Sequence, residues 1–472
     1  MAEGSTPEPQ AGSDLHTLLA TVRAAQAAHT PDFDQRHDDL KRLRRAVAAN
    51  AEALAKAVDA DFGGRSRHET LIAEVSMILH DIDVLKSNLK RWMQPQRVAT
   101  DWKFLPATSE IHTVPLGVIG ILSPWNYPIS LALMPLAAAL AAGNHAIIKP
   151  SEHTPATAQA LKDLLAGLYP AERVSVVTGG PDVAAAFAAL PFDHLFFTGS
   201  TSIGRAVMAA AAPNLTPVTL ELGGKSPTVI APGFDLDYAA ARISMMKFLN
   251  AGQTCIAPDY VFVEAGQERV LVQKLEAEVR ASYPDPIASA HYTSIVNPRQ
   301  YQRLVAWLDE AREGGAEIIE LGTRDDVRHR LPPTLVLNAP ADSKLLSEEI
   351  FGPILPILPY ERFEDVLNYI RARPRPLAYY QFDRDNARIR LALDRIVAGG
   401  VCINDCALHF AQAELPFGGV GPSGMGHYHG RHGFETFSKR MPVFRQARFS
   451  GFWLLKPPYG KLAQKMMAWL TR

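Results

Sequence analysis

Cys255 ends the run Asn250-Ala251-Gly252-Gln253-Thr254-Cys255 and lies downstream of Glu221-Leu222-Gly223-Gly224-Lys225. A thiol and a carboxylate, each flanked by small turn-forming residues, are the parts of a nucleophile and its base. The thiolate is the reactive species and an ordinary cysteine has a pKa of about 8.5, so Cys255 depends on its surroundings for activation. Glycine-rich backbone beside it can supply donors and let a substrate approach. Taken alone, the residue reads more readily as a small apolar filler than as a catalyst.

Three further runs supply what a thiol would need. Ser123-Pro124-Trp125-Asn126-Tyr127-Pro128 holds the Asn126 amide between prolines and aromatics, a rigid donor of the kind an oxyanion hole requires; an Asn in a proline turn is the plainer account. Ile147-Ile148-Lys149-Pro150-Ser151-Glu152 puts Lys149 at the carboxyl end of a buried strand, where open α/β sheets bind ligands and where a lysine can meet ribose hydroxyls. Glu152 would repel a 2′-phosphate, favouring NAD and leaving NADP open; the plain alternative is a solvated Lys/Glu pair. Phe196-Phe197-Thr198-Gly199-Ser200-Thr201-Ser202-Ile203-Gly204 places Gly199, Ser200 and Gly204 at a strand-to-helix junction suited to phosphate, or simply a tight turn. It is not a P-loop, because Arg205 stands where lysine is required, and it lacks GxGxxG.

Glu349 and Phe351, in SEEIFGP, and Phe417, in LPFGG, pair aromatics with glycine in a way compatible with a cofactor ring against Phe351. Cys402, Cys406 and His409 are spaced superficially like metal ligands, but no second pair follows at zinc-site spacing, so no metal is expected.

These residues need elements to position them. Between residues 15 and 92 apolar positions recur at helical spacing, most clearly Leu71, Ile72, Val75, Ile78, Leu79, Ile82, Leu85 and Leu89, predicting amphipathic helices that pack on something later in the chain. After Pro106, β-type runs at 118–122, 145–148, 174–177, 194–197 and 216–222 alternate with alanine-rich helices at 132–142 and 156–168. Such alternation implies a parallel sheet covered on both faces. A second α/β block runs from near Gly223 to about Asn404, with helices at 236–248, 266–283 and 298–313. From Pro416 the chain is rich in Gly, His, Arg and Phe without a strong period, a texture that reaches across to another domain or subunit. The fold class is therefore α/β: a doubly wound parallel-sheet cofactor domain (1–98 and 119–221), a second α/β catalytic domain (222–404), small β bridging or oligomerisation segments (99–118 and 405–450) and a tail (451–472).

Composition narrows the function classes. The 472 residues, 47% hydrophobic and 21% charged, suffice for two or three domains with a large core. With 48 basic and 49 acidic residues the net charge is −1, which gives no electrostatic case for nucleic acid and suits a small, weakly charged ligand. Three cysteines argue against a disulfide framework and for a reducing compartment. MAEGSTPEPQ contains no basic or apolar leader region, so a cytoplasmic location is expected. The apolar run at 451–455 is interrupted by Lys456, two prolines and Lys461, well short of the roughly 20 residues a membrane span needs. Residues 461–472 could form an interfacial helix, although docking onto the protein's own body is favoured.

In order across roughly residues 115 to 420, PWNYP, IIKPSE, FTGSTSIG, LELGGKSP, NAGQTCIAPDY, EEIFGP and PFGG resemble the NAD(P)-dependent aldehyde dehydrogenase superfamily. The tyrosine of PWNYP, the AP after the cysteine and GVGPSGMGHYHGRHGFETFS resemble its shorter, dimeric class 3-like branch. The ending FRQARFSGFWLLKPPYGK is most similar to the bacterial coniferyl aldehyde dehydrogenases.

That resemblance implies that Cys255 attacks an aldehyde, that the Asn126 side chain and the Cys255 N–H hold the oxyanion, and that Glu221 deprotonates the water that hydrolyses the thioester. It places Lys149 and Glu152 at the adenine ribose, Gly199, Ser200 and Gly204 at the pyrophosphate, and Glu349 and Phe351 at the nicotinamide ribose. It implies NAD, with NADP possible, an aromatic or medium-chain aldehyde with a long-chain one as alternative, and a homodimer using the strand region at 103–115. A coenzyme A-acylating relative usually lacks a carboxylate at the Glu221 position. A thiol hydrolase would not need Lys149 or the 199–204 turn, and a catalytically idle relative would tolerate loss of Cys255 or Glu221. Met77, Trp125, Tyr127, Ile256 and His409 are candidate substrate walls by location. Their character suits such aldehydes without separating a phenylpropenal from a fatty one.

Overall fold

The computed structural model describes residues 11–448, 450–451 and 456–471. The expectations for residues 1–10 and for most of the apolar run at 451–455 fall outside them.

The cofactor sheet is assembled from β3 (Val118–Leu122), β4 (His145–Lys149), β5 (Val174–Val176), β6 (His194–Thr198) and β7 (Val218–Glu221), which follow β1 (Gln96–Val98) and β2 (Thr108–Pro115). β3, β4 and β6 are buried at every position, which explains their unbroken apolar character: parallel strands covered on both faces have no solvent side to mark. The spatial order is β5-β4-β3-β6-β7, closed by the antiparallel pair Gly424–Met425. The chain leaves β3 in one direction and returns to β6 on its other side, and a crevice opens beyond the carboxyl ends of strands at such a reversal. Lys149, Thr198 and Glu221 are the last residues of β4, β6 and β7.

Helix Ser130–Ala142 is buried along its whole length, as an element apolar on all sides must be. The amphipathic helices Phe33–Ala49 and Ser76–Trp92 pack on it, so the partner the early helices require is this later one. One residue departs from the expected apolar face: Ile72 is 67% exposed. Residues Leu71–Val75 form a wider π-type turn, whose extra residue shifts the phase and leaves Glu74, not Ile72, facing inward.

The second sheet contains β8 (Pro227–Ile230), β9 (Tyr260–Glu264), β10 (Glu317–Glu320), β11 (Thr334–Leu337), β12 (Ile354–Tyr360), β13 (Ala378–Phe382) and β14 (Gly400–Ile403). Its order is β10-β11-β12-β9-β8-β13-β14, parallel except for β10. After the short β15 (Gly424–Met425), β16 (Ser438–Arg445) pairs antiparallel with β2 along its length, and β1 completes a three-stranded sheet. The aperiodic segment after Pro416 thus contributes to two sheets, each pairing carried by backbone hydrogen bonds that need no side-chain period. Helix Lys461–Leu470 buries Ala463 and sets Trp469 edge-on against Trp102 at 5.2 Å. Among the described residues no helix is long and apolar enough to cross a membrane.

Candidate active site

After helix Leu236–Phe248 the chain takes a left-handed turn through Asn250 (φ 51°), Ala251 (φ 50°) and Gly252 (φ 72°), just before Cys255. Asparagine and glycine tolerate that region, whereas alanine pays roughly 1–2 kcal/mol there and holds it only where the surroundings over-determine it. They do. Fully buried Gln253 donates to the Asn250 and Ser294 carbonyls (2.9 and 3.0 Å) and accepts from Val296 N (3.0 Å). Asn250 N donates to Glu69 Oε2 at 3.0 Å. A Cβ on Gly252 would lie 2.2 Å from the Gly352 carbonyl oxygen, so the loop of Cys255 meets the loop of Glu349 and Phe351 backbone to backbone. Around the thiol, the Tyr127 hydroxyl bonds the Thr254 hydroxyl at 2.7 Å and Tyr380 donates to the Ile256 carbonyl at 2.6 Å.

The turn after β3 delivers Asn126, whose buried Nδ2 donates to the Gln253 carbonyl at 3.1 Å. An amide nitrogen carries two hydrogens, so a second donor remains on the same atom. Glu221 is buried, and neither carboxylate oxygen has a hydrogen-bond partner among the described residues. Burial pushes its pKa well above the usual carboxylate range. The Cys255 thiol is pushed up by burial and by the Glu349 and Glu221 carboxylates, while the N–H groups of Cys255 and Ile256 pull the other way. Burial first, then Asp259, raises Glu349 to about 8. Three acids held back from ionising around one point favour a positive partner.

Other groups fit a dinucleotide. The hydroxyls of Ser123 and Thr198, at strand ends beside that of Glu221, and Oε1 of Glu349, on the loop before β12, are buried without partners among the described residues. A Cβ on Gly199 or Gly204 would lie 2.5 Å from the tip of the Phe197 ring or of the Leu222 side chain, so glycine lets the turn lie close against both. Ser200 caps helix Thr201–Ala211, accepting from Ile203 N at 3.4 Å. Lys149 is not part of a solvated pair: its side chain is 3% exposed, with Nζ 2.7 Å from Glu152 Oε2. Burial acts upward on the Glu152 carboxyl, but the hydrogen bond and charge of Lys149 outweigh it and hold it below its usual range.

Glu349 reaches this crevice because Gly223 leaves it room, a Cβ there falling 1.9 Å from its Oε2. Phe351, itself left-handed (φ 51°), meets Trp125 edge-on at 5.3 Å. Lys225 latches the loop by donating to Asp259 (2.7 Å) and to the Glu348 carbonyl (3.0 Å).

Cys255, Glu221, Asn126, Glu349 and Phe351 are thus brought to one place, with Trp125, Tyr127 and Ile256, and the Lys149 and Gly199 sites lie at neighbouring strand ends. Of the other proposed wall residues, Met77 packs against the same hydrophobic core as Trp125 and Cys255, and His409 sits against Gly400 of β14, beside Phe417 and beside Tyr380, whose hydroxyl bonds the Ile256 carbonyl. Sequence reasoning missed Arg65, Glu69 and Glu74, which reach partners far along the chain, and Gln253, which ties its own turn to Ser294 and Val296. Among the described residues no group of three or more His, Cys, Asp or Glu side chains could hold a metal.

Comparison with known proteins agrees with this arrangement. The profile of the aldehyde dehydrogenase family matches residues 10–443. A Pseudomonas aeruginosa protein named "Probable coniferyl aldehyde dehydrogenase" is 50% identical over 456 residues, 96% of each chain. The coniferyl aldehyde dehydrogenase of a Pseudomonas species is 41% identical over 98% of each. The substrate-bound structure of Staphylococcus aureus AldH superposes with a TM-score of 0.92 at 37% identity, covering 97% of this chain and 99% of that one.

Proposed function

The chain belongs to the aldehyde dehydrogenase family, and from that premise we propose that Cys255, Asn126 and Glu221 carry the reaction and that the aldehyde is aromatic, of the coniferyl type. The protein is an NAD(P)-dependent oxidoreductase that oxidises aldehydes to carboxylic acids.

In the proposed sequence, the Cys255 thiol gives its proton to water, its sulfur bonds to the carbonyl carbon, and the carbonyl π electrons move onto oxygen. The Cys255 N–H and the free N–H of Asn126 receive that oxyanion, as preorganised donors aimed at developing charge. A nicotinamide held by Glu349 and Phe351 would supply the hydride acceptor needed to oxidise the hemithioacetal to a thioester. Glu221 then takes a proton from water, the hydroxide oxygen bonds to the acyl carbon, and the thiolate leaves with the electrons of the carbon–sulfur bond. The observation that carries this reading is Glu221: a buried carboxylate next to the thiol, with neither oxygen hydrogen-bonded among the described residues.

Lys149 and Glu152 would take the adenine ribose, and Glu152 favours NAD over NADP. Gly199, Ser200 and Gly204 would seat the pyrophosphate, and Glu349 with Phe351 the nicotinamide ribose. The names of relatives at 50% and 41% identity support coniferyl aldehyde, as do the rings of Trp125, Tyr127 and Phe351 beside the thiol. The division into 1–98 with 119–221, 222–404, 99–118 with 405–450, and 451–472 is retained as a proposal, as are a cytoplasmic location and a homodimer. The dimer is supported by the exposed apolar residues Trp102, Met441 and Phe444 on and beside the three-stranded sheet. Following reduced nicotinamide with coniferyl, benzyl and straight-chain aldehydes, each with NAD and NADP, tests the reading. The highest kcat/KM is expected with coniferyl aldehyde and NAD. A higher value with straight chains would reassign the substrate, and no turnover with any aldehyde would remove the function.

A further inference from the structure

The least explained charges in the molecule lie between residues 65 and 74. The side chains of Arg65 and Glu74 are both 0% exposed, with Arg65 Nη2 3.6 Å from Glu74 Oε1. A buried pair of this kind is seldom the most stable filling of a core, since apolar residues of the same volume often do as well or better. Its contacts are specific. The guanidinium lies between the rings of Phe62 (5.0 Å) and Tyr127 (4.9 Å), and Nη1 donates to the Asn126 carbonyl at 2.7 Å. Glu74 Oε2 accepts from Ile129 N and Ser130 N at 2.8 and 3.0 Å. The pair therefore grips the proline loop at both ends, at the Asn126 peptide and at the entry to helix Ser130–Ala142.

Glu69, on the same segment, takes the other loop. Its Oε2 accepts from Asn250 N at 3.0 Å and from the Thr293 hydroxyl at 2.8 Å. Asn250 Nδ2 in turn donates to the Asn126 carbonyl at 3.1 Å, so Arg65 and Asn250 share one acceptor. With that carbonyl held by two donors, the Asn126 peptide cannot rotate without breaking both, and the side chain stays turned toward Gln253 and the thiol. The grip is completed where the π-type turn at Leu71–Val75 points Glu74 inward, and such turns recur at functional sites.

We propose that Arg65, braced by Glu74 and coupled through Glu69 to the cysteine loop, is a positioning residue that sets the Asn126 amide for the oxyanion. The proposal rests on the role assigned to Asn126 above. Lysine carries the charge but not the planar fork, so it cannot hold the Asn126 carbonyl and Glu74 together between two rings.

The test is a cycle of Arg65→Lys and Asn126→Ala, singly and together, read as kcat, KM for cofactor and aldehyde, and the rate of Cys255 alkylation by iodoacetamide. Arg65→Lys is expected to lower kcat about tenfold or more, since small misplacements at a reacting centre are costly, with cofactor KM and alkylation rate unchanged. On the Asn126→Ala background the same change should add less than about twofold, as expected for residues acting through one group. A kcat for Arg65→Lys within twofold of wild type, or two losses that multiply, would overturn the proposal. If Arg65→Lys no longer binds cofactor, Glu74→Gln, which turns an N–H toward Arg65 Nη2, takes its place in the cycle with the same outcomes. Full kcat in Asn126→Ala alone would instead overturn the reading of Asn126, and the proposal with it.

Discussion

The Asn126 side chain donates to the Gln253 carbonyl at 3.1 Å, so the donor facing the thiol is anchored on the loop that carries the thiol. Neither loop can shift without the other, which keeps donor and nucleophile in register. Replacing Asn126 by alanine should lower kcat about 10²–10³-fold, the cost of one oxyanion donor, while cofactor binding measured by fluorescence quenching is unchanged. A kcat near wild type would assign the oxyanion to backbone donors alone.

The carboxylate of Glu152 stands 2.7 Å from Lys149 Nζ, and in the proposed cofactor site it would repel a phosphate on the ribose. Glu152→Gln should raise kcat/KM for NADP relative to NAD about tenfold, the scale of one removed charge at a partly exposed site. An unchanged ratio in paired steady-state assays would place the discrimination elsewhere.

The left-handed turn before Cys255 makes opposite predictions for neighbours. Ala251→Gly relieves strain on the order of 1 kcal/mol at φ 50° and should raise the thermal midpoint. Gly252→Ala places a Cβ 2.2 Å from the Gly352 carbonyl oxygen and should lower both the midpoint and the activity. Scanning calorimetry of the two variants decides, and equal effects would contradict the strained turn.

Asp81, on helix Ser76–Trp92, is raised by burial to about 7, the N–H of Gly430 acting the other way. Its folded pKa exceeds the unfolded value of 3.8, so its contribution to stability is full below pH 4 and is lost as pH rises through about 7. Asp81→Asn keeps an acceptor for Gly430 and cannot ionise. Its stability relative to wild type should therefore grow between pH 4 and 7, by roughly 4 kcal/mol at 1.36 kcal/mol per unit, and level off above. A difference independent of pH in parallel melts would mean that Asp81 ionises freely.

Much of this site was legible because its residues sit in punctuated runs: Asn126 between prolines, Glu221 before two glycines, Gly199 and Gly204 about a helix start. The buried strands were legible as unbroken apolar runs such as 118–122. Arg65, Glu69 and Glu74 were not, because charges in a helical stretch read as a solvated face, and their partners at Asn126 and Asn250 lie 61 and 181 positions away. The phase shift that exposes Ile72, the left-handed Ala251 and the pairing of β16 with β2 likewise depend on contacts distant in sequence.

The central claim is a covalent acyl group on Cys255, and Glu221→Gln offers the most direct view of it because it removes the base that would discharge the thioester. Intact-mass spectrometry of this variant mixed with NAD and coniferyl aldehyde should show one added acyl group per chain, mapped to Cys255, with one equivalent of reduced nicotinamide. Formation of reduced nicotinamide without any adduct, or an adduct that persists when Cys255 is also replaced by alanine, would contradict it.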